Sequence, residues 1–145
     1  MKVTYNWLKD FVEIKIPPRA LAEKLTMAGL EVTSLEEKGG DFIFEIEVTS
    51  NRPDWLSVMG IAREVAVILG KKLKLSPVKK QQLPGKCGVP FVIKIQNKKD
   101  CPLYTAKLIK NIKVGSSPEW LKKRLEFLGC RSVNNIVDIT NYVLF

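Results

Sequence analysis

The chain has 145 residues, 24 basic and 15 acidic side chains, no histidine and three cysteines, and 46% of it is hydrophobic, which supports a folded core and excludes wholesale disorder or low-complexity sequence. Without histidine no Ser-His-Asp or Cys-His nucleophile and no imidazole metal ligand can be built, and Cys87, Cys101 and Cys130, odd in number and without a CxxC pair, read as reduced thiols in preference to a shared zinc site. No apolar run approaches the ~20 residues of a membrane span and the amino terminus lacks a secretory apolar core, so a cytoplasmic protein with no membrane partner is expected.

Thr4 can cap a short first helix whose Leu8, Phe11 and Val12 share a face. Pro17-Pro18 starts a second helix carrying Leu21 and Leu25, and Gly29 stands where a left-handed residue closes it. Leu30–Val32 reads as extended, residues 36–40 as a glycine-ended turn, and Phe42–Val48 as a half-buried strand with Phe44, Ile46 and Val48 inward and Glu45 and Glu47 outward. After the Asn51-Arg52-Pro53-Asp54 turn, Asp54 is expected to cap a helix over about 55–69 whose apolar stripe includes Val58, Ile61, Ala62 and Val65, and which Gly70 stops.

Residues 71–90 hold six lysines, three prolines and two glycines, the composition of a surface connector. Strands are expected at Phe91–Ile95 and Tyr104–Ile112. Ser116 and Glu119 have the spacing of a capping box before a helix over about 118–128, and a last helix is expected over about 134–144. Helices and strands are mixed in both blocks, so the fold class is α+β rather than an alternating βαβ array.

Three groups are candidates for chemistry. Arg52, in the turn with Asn51, Pro53 and Asp54, can clamp a phosphate or a carboxylate; the preferred reading is a structural strand-to-helix corner. Asp138, Thr140 and Asn141 interrupt an apolar run, either lining a pocket or forming an exposed helix face. Lys122, Lys123 and Arg124 beside Trp120 are possible RNA contacts or a solvated face. Residues 81–145 carry eleven basic against four acidic side chains, whereas residues 1–40 are balanced, and this favours a polyanionic neighbour. No glycine-rich phosphate loop is present, and no catalytic centre is visible.

The order of six motifs carries a resemblance. Residues 2–9 (KVTYNWLK), 25–32 (LTMAGLEV), 51–54 (NRPD) followed by 56–64 (LSVMGIARE), 104–106 (YTA), 117–121 (SPEWL) and 134–143 (NNIVDITNYV) together resemble the amino-terminal part of bacterial phenylalanyl-tRNA synthetase beta subunits. The resemblance implies a parent class II ligase, a heterotetramer of two alpha and two beta subunits, in which the alpha subunit uses ATP and magnesium to attach phenylalanine to tRNA. The beta subunit supplies tRNA contacts and an editing site.

By that resemblance, residues 1–75 form a small amino-terminal α+β domain, 76–90 a linker, and 91–145 the incomplete beginning of an editing-module-like α+β domain. Thr140 and Asn141 match the edge of the editing pocket. No catalytic residue, metal ligand or cofactor is expected in this chain itself. The OB-fold tRNA-binding insertion that the family usually carries between the Gly29–Val32 region and Asn51 is missing, as is the histidine-bearing stretch that follows the Phe145 position. The chain alone is therefore expected to lack ligase and hydrolase activity. The alternative is a free-standing RNA-binding or subunit-docking module without catalysis.

Overall fold

A computed structural model of the chain describes residues 1–75 and 91–145. The expected linker over 76–90 lies outside the described residues. The chain divides into two compact units, one made of Met1–Leu75 with Val114–Phe145, the other of Ser76–Lys113.

The first unit is an α+β fold around a three-stranded antiparallel sheet. Strand β1 (Lys2–Thr4) leads directly into helix α1 (Tyr5–Phe11), then α2 (Pro18–Met27), β2 (Val32–Lys38) and β3 (Asp41–Ile46). The sheet order is β1-β3-β2, with Val3 opposite Phe44 and Leu35 also opposite Phe44 across the other ladder. A single 3-10 turn (Pro53–Trp55) precedes α3 (Val58–Ile68). Helices α4 (Glu119–Phe127) and α5 (Asn135–Leu144) complete the unit.

Local chemistry sets these boundaries. Thr4 is extended and its Oγ1 accepts from Trp7 N at 3.2 Å, which caps α1 where the strand ends. Gly29 closes α2 at φ +95°: its N–H reaches Thr26 O and that of Leu30 reaches Leu25 O, so two orphan carbonyls are satisfied by one left-handed residue. The same pair of bonds closes α3 at Gly70 and Lys71, and α4 at Gly129 and Cys130.

Four expectations change. The turn expected over 36–40 shrinks to Gly39-Gly40, both left-handed, because Glu36, Glu37 and Lys38 pair in register with Ile43, Phe42 and Asp41. Asp54 does not cap α3. Ser57 does, its Oγ accepting from Gly60 N at 3.0 Å, because the Asp54 carboxylate is already taken by Arg52. The capping box at Ser116 and Glu119 is not formed: α4 begins after Pro118 with no side-chain cap, and Glu119 pairs with Lys122 at 2.9 Å. Residues 91–95 and 104–112 are not strands. Alternation supplies a face but not a ladder partner, and Asn111, at φ +59°, breaks the second run.

The core gathers Val3, Leu8, Leu21, Leu25, Leu30, Phe44, Ile46, Ile61 and Val65, all sealed from solvent between the sheet and helices α1–α3. Leu128, Tyr142 and Phe145 pack against it from the carboxyl-terminal helices. In the second unit the described residues 91–113 hold no helix or strand. Their local order is an Asx turn, in which Asn97 Oδ1 accepts from Lys99 N at 3.0 Å and from Asp100 N at 3.2 Å.

Candidate functional site

The first candidate is the corner over 51–54. Arg52 is held on three sides. Its Nε and Nη2 donate to the two carboxylate oxygens of Asp54 at 3.0 and 2.8 Å, and Nη2 also reaches Glu64 Oε1 at 2.5 Å. Its guanidinium carbon lies 3.9 Å over the Trp55 ring, whose Nε1 donates to the same Glu64 oxygen at 3.3 Å. The fork of Arg52 lowers the Asp54 pKa below its ordinary value, and the Asp54 and Glu64 carboxylates raise that of Arg52. This guanidinium is engaged by carboxylates of its own chain. Asn51 is exposed, and Pro53 opens the 3-10 turn.

Gly60 is buried beneath this corner. A Cβ built there overlaps the backbone oxygen of Asp54. Neither Gly60 nor Glu64 was singled out from the sequence. The available signal was a glycine inside the first turn of an otherwise apolar helix, which marks close backbone approach.

The second candidate lies on α5. Asn134 caps that helix, its Oδ1 accepting from Ile136 N and Val137 N at 3.0 Å each. One turn on, Asp138 is fully buried. Its carboxylate accepts from Ser117 Oγ, from Ser132 Oγ at 2.6 Å and from Val133 N at 2.9 Å. These donors, Ser117 first, pull its pKa below the usual carboxylate range against the desolvation that would raise it. Asp138 thus binds the approach to α4 and the loop before α5 to one point.

Thr140 and Asn141 do not share that network. Thr140 is exposed and its Oγ1 donates to Val137 O at 2.6 Å, within its own helix. Asn141 is half-buried and its Nδ2 donates to Cys130 Sγ at 3.3 Å. The sequence grouped Asp138 with these two; in the structure Asp138 is buried in its own network, whereas Thr140 is exposed and Asn141 half-buried.

The basic side chains of α4 also part company. Lys122 pairs with Glu119, and Lys123 is exposed. Arg124 pairs with Asp10 of α1 at 2.6 Å and donates to the Tyr142 hydroxyl at 3.2 Å. Around it three rings converge: Tyr142 stacks on Trp7 at 5.0 Å and 2°, and Trp120 meets Tyr142 edge-on at 5.6 Å. Beside this cluster, Trp7, Phe11, Val58, Met59, Leu144 and Phe145 line an apolar groove of ≈ 310 Å³. Among the described residues no three His, Cys, Asp or Glu side chains could hold a metal ion, and no helix is long and apolar enough to cross a membrane.

Residues 100–145 match the family model described as the B3/4 domain. The chain is 38% identical, over 144 residues or 99% of its length, to the phenylalanine–tRNA ligase beta subunit of Rhodopirellula baltica. It is 49% identical to that of Carboxydothermus hydrogenoformans over 104 residues, 72% of its length, and 39% identical to that of Bacillus cereus over 115 residues, 79% of its length. By sequence this chain belongs to the phenylalanine–tRNA ligase beta-subunit family. The chain spans 21%, 13% and 14% of those three relatives, about a fifth of their length or less. The six motifs on which the resemblance rests thus carry a relationship that extends across nearly the whole chain.

Proposed function

We propose that this chain serves as the amino-terminal part of a phenylalanine–tRNA ligase beta subunit. It contributes to the tRNA-binding and editing region of a synthetase that attaches phenylalanine to its tRNA at the expense of ATP. The observation that carries this reading is the 38% identity over 99% of the chain, joined to the B3/4 match over 100–145. The partners are an alpha subunit, in an assembly of two alpha and two beta subunits, and tRNA.

Within that assembly α5 presents Thr140 and Asn141 to the edge of the editing pocket, and Asp138 and the Trp7–Tyr142 stack hold α5 in place. The Asn51–Asp54 turn serves as a structural corner, since its arginine is engaged by Asp54 and Glu64. On α4, Lys123 is the exposed candidate for RNA, whereas Lys122 and Arg124 are paired. In this reading ATP and magnesium are bound by the alpha partner.

The test combines three measurements. The chain is expected to co-purify with the co-expressed alpha subunit and to retard a phenylalanine tRNA transcript in a gel at low salt. It is not expected to hydrolyse mischarged tyrosyl-tRNA above a heat-killed control. Failure of both associations would overturn the reading.

A further inference from the structure

The exposed cations of the first unit are not evenly spread. Arg52, Lys122 and Arg124 are each committed to an acidic neighbour, and Lys9 lies over the Tyr5 ring at 4.4 Å. Another group gathers where α3 ends. There Gly70 turns the chain back, and Lys74 N donates to Phe11 O at 2.6 Å, laying residues 71–75 beside 11–15. Leu73 packs against the core, while Lys72 and Lys74 on either side of it are exposed.

Lys71 and Lys74 thereby come to the same place as Lys15, around a single carboxylate, and Lys72 lies exposed on the same short segment. Glu13 Oε1 lies 2.9 Å from Lys15 Nζ and its Oε2 3.9 Å from Lys71 Nζ. The field of Lys15, then Lys71 and Lys74, lowers the Glu13 pKa below its ordinary value, an independent sign that their charges overlap at this point. One carboxylate cannot neutralise three ammonium groups, and Lys72 adds a fourth exposed charge to the segment. The surplus sits on exposed, flexible side chains that act as point charges, which suits the spaced negative charges of a nucleic-acid backbone rather than a bidentate fork.

We propose that Lys15, Lys71, Lys72 and Lys74 form a seat for the phosphate backbone of RNA, without base readout, and that this surface rather than α4 makes the main electrostatic contact. This deepens the function proposed above and rests on its tRNA-binding arm.

The experiment measures binding of the full chain to a tRNA transcript between 50 and 200 mM salt, a range over which phosphate contacts are read from the slope of log affinity against log salt, at about 0.7–0.9 per contact. The probe set is the wild type, K15Q/K71Q/K72Q/K74Q, the double variant K72Q/K74Q that leaves both Glu13 pairs intact, and K122Q/K123Q. The quadruple variant is expected to lose about three from the slope, the double variant about 1.5, and the α4 variant less than one. A quadruple variant with the wild-type slope, or an α4 variant that loses more than the seat variants, would overturn the inference while leaving tRNA binding standing. Wild type that binds no RNA would overturn both. Loss of polyglutamate binding in the seat variants with RNA binding unchanged would assign the surface to an acidic protein instead and also overturn it.

Discussion

Asp138 is sealed from solvent, so the three donors around it decide its behaviour. Its folded pKa is depressed, so its contribution to stability is present above the unfolded carboxylate range of about 4 and is lost as pH falls through the lower folded value. Asp138→Asn keeps the shape but turns an NH2 towards hydroxyl donors. The variant is expected to melt several degrees lower at pH 7, and its midpoint is expected to fall less than that of the wild type between pH 5 and 2. Parallel midpoint curves for the two proteins would show that Asp138 is not the titrating anchor.

Gly60 is the other residue that sets its surroundings. Alanine usually helps a helix interior by about 1 kcal/mol relative to glycine. Here the added methyl meets the Asp54 backbone, which cannot swing away as a side chain would. Overpacking costs about 1–3 kcal/mol or more, so Gly60→Ala is expected to destabilise the chain despite its better propensity. Chemical denaturation at constant m value reads the sign directly.

At the scale of elements, what was legible followed local rules. Thr4, the Pro17-Pro18 pair, Gly29, Gly70 and Gly129 mark helix ends because each acts on backbone groups within a turn or so. The inward side of β3 was readable from Phe44 and Ile46. What was not legible depended on competition or on distant partners. Asp54 and Ser57 are both good caps, and only the nearby Arg52 fork decides between them. Ser116 and Glu119 do not form the expected capping box, and Glu119 is claimed by Lys122 instead. The two expected strands lacked a ladder partner, which no alternation can reveal. Thr140 and Asn141 could be placed on the last helix from the sequence, but what holds α5 could not, since Trp7, which stacks on Tyr142, lies more than a hundred residues away. The cap assignment is directly testable. Ser57→Ala is expected to cost about 1 kcal/mol, within the usual range of 0.5–2 for a lost N-cap. An unchanged denaturation midpoint would return the capping role to another group.

At the scale of the molecule, the question is whether residues 1–75 and 114–145 fold as one body. They share the stack of Trp7 on Tyr142, the Arg124–Asp10 pair and the bond from Val58 N to Phe145 O at 2.5 Å. The ion pair alone decides little, because half-exposed pairs contribute about 0.2–1 kcal/mol. The aromatic contact is the better probe: such pairs contribute about 0.5–1.5 kcal/mol beyond the area they bury. A double-mutant cycle of Trp7→Leu and Tyr142→Leu in the full chain is therefore expected to give a coupling of about 1 kcal/mol, with a single unfolding transition seen by both tryptophan fluorescence and circular dichroism. Independent domains would give additive effects and separate transitions. Coupling in one cooperative step means that a change on α1 reaches the helix carrying Thr140 and Asn141, and so ties the amino-terminal residues to the pocket edge proposed for α5.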